Sequence, residues 1–305
     1  MKQGYLIDMD GVIYRENQLI PGAADFVETL NSSGIPFLFL TNNSAPTPED
    51  LAVRLRHMGI DGVSPRQFYT SALNTADFLS ETHPNCTAFV LGEGGLTTAL
   101  HESKIANDSI SPSYVIVGEG AVSSERLTKA HECIERGARL LATNPDNWCP
   151  VSSDKTRPGA GASTAFLEAS TGQNAYHLGK PNGYMFQRAR KRLGENSRTE
   201  PEEIVMIGDT METDIRGAFE AGLCSFLVLT GSTKLEEVHN YAYQPTRILN
   251  SVADLASELA SGIPSSRLDS PALSLIHRDQ KRAGKRHQTD FSSSQRKRPR
   301  PAMVS

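Results

Sequence analysis

Asp8-Met9-Asp10-Gly11 stands directly after the apolar run Tyr5-Leu6-Ile7, so two carboxylates and a glycine fall where a buried strand meets solvent. Acids this close repel each other and lose hydration beside apolar chain, which demands either raised pKa values or a bound cation. Hard divalent ions with oxygen ligands suit such acids best. In isolation an Asp/Gly turn after a strand is a competing explanation. Three further polar sets follow apolar runs or strand ends in the same way. Thr41-Asn42-Asn43-Ser44 comes after the run 36–40, Lys180 stands in Leu178-Gly179-Lys180-Pro181, and Gly208-Asp209-Thr210-Met211-Glu212-Thr213-Asp214 comes after the run 204–207.

These groups can act together only if the elements between them return the chain to one edge. Pro21 and Gly34 bracket a helix with Phe26, Val27 and Leu30 on one face. Thr47-Pro48-Glu49-Asp50 is a capping box that opens a second helix through Leu51, Leu55 and Met58, closing at Gly59. Strand and helix alternating at this spacing predict right-handed crossovers in a parallel sheet. From 79 to 176 the alternation continues as a separate unit, with strands expected over 88–91, 114–117 and 140–142 and a helix over 125–136. Gly92-Glu93-Gly94 and Gly118-Glu119-Gly120 close the first two of those strands; Thr97 and Ser123 occupy the sixth positions, so neither completes a dinucleotide fingerprint. The third strand ends in the polar turn Thr143-Asn144-Pro145-Asp146-Asn147-Trp148, and a small-residue helix opens at Arg157-Pro158-Gly159-Ala160-Gly161. Helices through Met185, Ala189 and Leu193, over 214–221 and over 252–259, with a strand over 226–229, complete the pattern. The fold class expected is α/β, a Rossmann-like parallel-sheet core in 1–78 and 177–262, with an inserted α/β unit in 79–176 and a basic disordered tail in 263–305.

A chain of 305 residues, 38% hydrophobic, can bury a sizeable core. No apolar run approaches the roughly 20 residues of a membrane span, and Met1-Lys2-Gln3 leads into a strand, so a soluble, cytoplasmic protein without a membrane partner is expected. Cys86, Cys133, Cys149 and Cys224 are too widely spaced for a metal motif or disulfide framework. Ten Lys or Arg against three Asp lie after Ile263, about +7 for the tail, leaving about −11 for the rest of a chain whose net charge is −4.

Ligands bind at the carboxyl ends of parallel strands, so Asp8, Asp10, Thr41, Asn42, Lys180, Asp209 and Asp214 would converge there. Several carboxylates in one crevice would repel an anionic substrate unless Mg²⁺ lay among them. Lys180 could neutralise a phosphoryl oxygen, while Thr41 and the Asn42 amide donate to others. Asp214 as a helix N-cap competes with any role in the site. Lys180 is not a Walker lysine, because Asn174 and Pro181 break the P-loop pattern. No H-E-x-x-H or G-x-S-x-G is present, which removes zinc-protease and serine-hydrolase readings.

D-x-D-G, T-N-N-S, G-K-P and G-D-T-M-E-T-D, in this order, resemble the four motifs of the haloacid dehalogenase (HAD) superfamily. The insert with its G-E-G repeats and A-T-N-P-D resembles the type C2 cap of the NagD-type, p-nitrophenylphosphatase-like branch. The resemblance implies a nucleophilic Asp8 that forms an aspartyl-phosphate, and an Asp10 that protonates the leaving alcohol and then deprotonates water. Mg²⁺ would be held by the Asp8 side chain, the Asp10 backbone carbonyl and Asp209. Asp214, behind them, would orient either a water on the metal or Lys180. Asp10, Thr41, Asn42, Asn43 and Lys180 would contact the substrate, and Gly11 would let the loop curl around the phosphoryl group. For Thr143, Asn144 and Asp146, a plain turn and a cap surface facing the site both stay open.

The activity expected is a Mg²⁺-dependent phosphomonoesterase for small phosphorylated metabolites of the sugar phosphate or nucleotide monophosphate class. A homodimer through the cap is a further expectation. The alternative is a catalytically silent phospho-ligand-binding protein whose basic tail recruits nucleic acid or another partner. Arg278 to Arg286 and Arg296-Lys297-Arg298-Pro299-Arg300 resemble polybasic segments that bind polyanions such as nucleic acid, although a solvated tail without a partner is the favoured reading.

Overall fold

In the computed structural model, residues 3–152, 155–196 and 203–261 are described; the basic tail expected from 263 lies outside them. Short apolar stretches with near-continuous burial form strands, the pattern required of a parallel sheet covered on both faces. In chain order the first part holds β1 (Gln3–Ile7), the short hairpin β2 (Tyr14–Arg15) and β3 (Gln18–Leu19), α1 (Ala23–Ser32), β4 (Phe37–Thr41), α2 (Pro48–His57), β5 (Phe68–Thr70) and α3 (Ser71–Thr82). The middle part holds β6 (Thr87–Leu91), α4 (Gly94–Glu102), β7 (Ala106–Asn107), β8 (Tyr114–Val117), α5 (Ser124–Glu135) and β9 (Arg139–Ala142). A hairpin of β10 (Trp148–Ser152) and β11 (Lys155–Pro158) follows, then α6 (Ala160–Thr171) and β12 (Tyr176–His177). The last part holds α7 (Gly183–Glu195), β13 (Glu203–Gly208), α8 (Arg216–Glu220), β14 (Cys224–Val228), β15 (Arg247–Leu249) and α9 (Val252–Ala260).

One six-stranded sheet runs in the order β15-β14-β13-β1-β4-β5, and every pairing in it is parallel. From β1 the chain moves to β4 and β5 on one side and returns at β13 on the other, so β1 is the switch point where a crevice opens beyond the carboxyl ends. Alternate side chains of β1 face opposite layers. Tyr5 and Ile7 pack with Phe26 and Leu30 of α1, Leu55 of α2 and Leu255 of α9. Leu6 packs with Leu38, Met206, and Met185 and Phe186 of α7. The Thr47 side chain and the Asp50 carboxylate cap α2 reciprocally, as its sequence predicts.

A second, five-stranded parallel sheet runs β12-β9-β8-β6-β7. Ala72, Ala76 and Leu79 of α3 and Leu96 and Leu100 of α4 cover one face, and Cys133 of α5 with Leu167 of α6 cover the other. The division expected between 78 and 79 therefore falls inside a continuous helix, and the one between 176 and 177 falls inside β12. Both sheets belong to one compact unit. They meet where the loop after β4 touches the strand ends of the second sheet: Gly95 N donates to Ala45 O (2.7 Å) and Glu119 N to Ser44 Oγ (2.9 Å). Asn144 Nδ2 donates to Asn42 O (2.8 Å).

Among the described residues no helix is long and apolar enough to cross a membrane. Truncating Leu38, fully buried on β4, leaves a cavity between the sheet and α7. Leu38→Ala is expected to lower unfolding stability by about 2–5 kcal/mol in urea denaturation.

Candidate active site

The strand β1 ends at Ile7, and Asp8 continues its ladder by donating its N–H to Ile207 O of β13 (2.8 Å). This ties the first acid to the strand that delivers Asp209. The Lys180 ammonium lies 2.7 Å from Asp8 Oδ1 and 2.6 Å from Asp214 Oδ1. Lys180 and Asp214 are buried, and only 13% of the Asp8 side chain is exposed. Asp214 lies in a widened π turn, Met211–Ile215, before α8 rather than at a helix N-cap, and its Oδ2 accepts from Thr210 N (3.1 Å). Its carboxylate thus holds the lysine with one oxygen and the backbone with the other.

Asp209 follows β13, and its Oδ2 accepts from Ser232 N (2.6 Å) in the loop after β14. Carboxylate oxygens of Asp8, Asp209 and Asp214 all lie within 4.8 Å of one another. The glycines around them leave that space open. A Cβ on Gly11, whose φ is +78°, would stand 2.7 Å from the Asp209 carboxylate, and one on Gly231 or Gly208 would overlap Asp209 or Asp214 respectively.

Burial sets the protonation of this group. Loss of hydration pushes Asp8, Asp209 and Asp214 each up to about 6. Lys180 opposes the shift in all three, and the acids reinforce it in one another. Burial alone would pull Lys180 down, but Asp214 and Asp8 outweigh it and hold the ammonium above its usual range. Three carboxylates against one ammonium leave an excess of two negative charges when all are ionised. A divalent cation with a preference for oxygen fits that donor set and that excess. Both Asp214 oxygens are taken, by Lys180 and Thr210 N, so Asp8 and Asp209 are the side chains that could hold the ion.

The other expected residues are placed as follows. Asp10 is exposed and outside the three-carboxylate group. Loss of hydration raises its carboxyl, against the pull of Arg54 and Arg15. Arg54, which the sequence did not single out, lies over the Tyr14 ring at 4.3 Å and donates to Glu16 O (2.6 Å). Thr41 Oγ1 accepts from Asn43 N (3.1 Å), which leaves its O–H able to donate. Asn43 Oδ1 accepts from Ala45 N (3.0 Å) and shapes the loop. The Asn42 side chain is engaged with Lys180 and Asp146. Thr143 and Asn144 face the loop after β4 through Ser44 Oγ and Asn42 O.

Residues 5–106 match the haloacid dehalogenase-like hydrolase family and residues 177–255 match the HAD-hydrolase-like family. A dihydroxyacetone phosphatase of Corynebacterium glutamicum (strain R) is 42% identical over 253 residues, covering 83% of this chain and 90% of that protein. An acid sugar phosphatase of Staphylococcus aureus (strain USA300) is 39% identical over 267 residues, 85% of this chain and 99% of the other. Among solved structures, 4-nitrophenylphosphatase of Thermotoga maritima superposes with a TM-score of 0.77 at 32% identity, covering 84% of this chain and 97% of its own. NagD of E. coli K-12 superposes with a TM-score of 0.75 at 35% identity, covering 83% and 98%. The chain belongs to the HAD-like hydrolases, in the NagD-type branch of phosphatases.

The raised carboxyls have a consequence for stability. Below the ordinary value of 3.8 both folded and unfolded chains hold these protons. Between there and about 6 the unfolded chain releases them first, so folding stability falls as pH rises through that window. A divalent cation relieves the repulsion only once the acids ionise. Adding Mg²⁺ to the metal-stripped protein is therefore expected to raise Tm more at about pH 7.5 than at about pH 5, as read by thermal denaturation.

Proposed function

We propose that this chain is a Mg²⁺-dependent phosphomonoesterase of small phosphorylated metabolites, sugar phosphates or nucleotide monophosphates, acting through a phosphorylated Asp8. The observation that carries the reading is the buried Lys180 ammonium bridging Asp8 and Asp214 at the carboxyl edge of the sheet. It fixes one Asp8 oxygen and leaves the other to attack. The names of the relatives, dihydroxyacetone phosphatase and acid sugar phosphatase, favour the sugar phosphate class.

The Asp8 oxygen attacks phosphorus as the P–O bond to the alcohol breaks, and the leaving oxygen takes its proton from Asp10. Asp10 then removes a proton from water, which attacks the aspartyl-phosphate, releases inorganic phosphate and restores Asp8. Through these steps the Lys180 ammonium and the Thr41 hydroxyl donate to the non-reacting phosphoryl oxygens. The Asp8 side chain, the Asp10 backbone carbonyl and Asp209 would hold Mg²⁺, which would supply charge neutralisation to the phosphoryl group. The second sheet serves as a cap that limits access to small substrates. A cytoplasmic location goes with substrates of this kind.

Asp8→Asn keeps the side chain's shape and removes the nucleophile. It is expected to lower phosphate release from p-nitrophenyl phosphate and sugar phosphates by at least about 10³-fold with Tm within a few degrees of the parent. Release by the variant at the parent's rate would refute Asp8 as nucleophile. A parent chain inert with Mg²⁺ toward a broad panel of phosphate esters would favour the silent binding protein.

A further inference from the structure

Asn42 follows the strand β4, yet its side-chain amide is directed at Lys180 rather than left open toward a ligand. Oδ1 accepts from Lys180 N (2.7 Å) and Nδ2 donates to Lys180 O (3.2 Å), so one amide grips both backbone polar groups of the lysine. The second Nδ2 proton goes to Asp146 Oδ2 (3.1 Å), on the turn after β9 in the second sheet. Gly179 makes the grip possible, because a Cβ there would stand 2.6 Å from Asn42 Oδ1 and 2.6 Å from Thr143 O.

Asp146 is itself held. Its N–H donates to Asn144 Oδ1 (3.0 Å) and its carbonyl accepts from Gly161 N (2.9 Å) at the start of α6. Asn144 Nδ2 is shared between Asn42 O (2.8 Å) and Glu119 Oε1 (3.0 Å). A rigid turn of the second sheet thus presents a carboxylate to the amide that grips the lysine. Loss of hydration pushes Asp146 up to about 6, while the Asn42 bond and Lys180 oppose the rise; once ionised it is a charged acceptor, the stronger kind.

We propose that Asp146 is a positioning residue: by accepting from Asn42 it fixes the amide that clamps the Lys180 backbone, and so aims the ammonium at Asp8. The second sheet then contributes to catalysis through the lysine as well as by covering the substrate. This rests on the phosphomonoesterase reading for its kinetic arm but not for its structural arm. Because the chain of contacts ends on Lys180 and not on the leaving group, loss of Asp146 acts on the phosphoryl-transfer step whatever alcohol is attached.

Asp146→Ala is compared with the parent on p-nitrophenyl phosphate, glycerol phosphate and a hexose phosphate. The expected result is a fall in kcat of about tenfold, similar for all three, with KM within about twofold. Asp146→Asn, which keeps an acceptor oxygen, recovers most of it. Combining Asp146→Ala with Asn42→Ala adds little beyond Asn42→Ala alone, since both break one linkage. Independently of turnover, hydrogen exchange at the Lys180 backbone amide is expected to quicken about tenfold in Asp146→Ala, with exchange in the β13 core unchanged. A rise in KM for some substrates only, at unchanged kcat, would make Asp146 a substrate contact and overturn the proposal. Unaltered Lys180 exchange, or losses that multiply in the double variant, would overturn it too. A parent with no turnover at all would fail the phosphomonoesterase reading, and the exchange result would still decide the positioning role.

Discussion

A single buried ammonium governs the arrangement of this site. Lys180 is taken out of water between Asp8 and Asp214, and removing charges from water costs several kcal/mol per ion unless partners surround them. Each oxygen of Asp214 is used, one by the lysine and one by Thr210 N. The π turn and Gly208 follow from this need. Asp214 faces the lysine from within the π turn, and a side chain at 208 would occupy its carboxylate's place. A buried pair of this kind is poor evidence for stability. Its value here is orientation, because it fixes the Asp8 carboxylate at the edge of the sheet.

The sheet order satisfies the same requirement. With β1 between β4 and β13, the acids at 8 and 209 and the polar loop at 41–44 share one edge, and the segment that carries Lys180 joins them from beyond β12. The acids outnumber the base there, and burial with a smaller contribution from mutual repulsion raises all three carboxyls. Substrate phosphate would add to that excess, so the site has the charge balance of one that works with a divalent cation.

Much of this was legible in the sequence because Asp8, Thr41 and Asp209 stand at the ends of strands, and strand ends are marked by the change from an apolar run to Asp, Thr or Gly. Three of the five strands of the middle sheet, β6, β8 and β9, were legible for the same reason. Other features were not. The short β5, β7, β12 and β15 carry too few residues to show a period. The hairpin of β10 and β11 was not read from the sequence, because Pro150, Pro158 and its polar residues show no apolar alternation. The helix α3 crosses an expected boundary because its apolar face serves the second sheet although it begins in the first part of the chain. In the site, Gly231 and Ser232 act through space left empty and through a backbone N–H, neither of which residue type reveals. Asn42 was expected to meet substrate. Its engagement with Lys180 and Asp146 depends on a contact between residues 104 positions apart, which no local pattern encodes.

The central claim is that Asp8 becomes phosphorylated while Lys180 holds it in place. Borohydride reduces an acyl phosphate to an alcohol, so rapid quenching of the enzyme during turnover, followed by reduction and peptide mapping, reads the phosphorylated residue directly. The account predicts homoserine at position 8 and no other acid converted. Turnover that continues with Asp8 recovered unmodified, or conversion confined to another carboxylate, would contradict it.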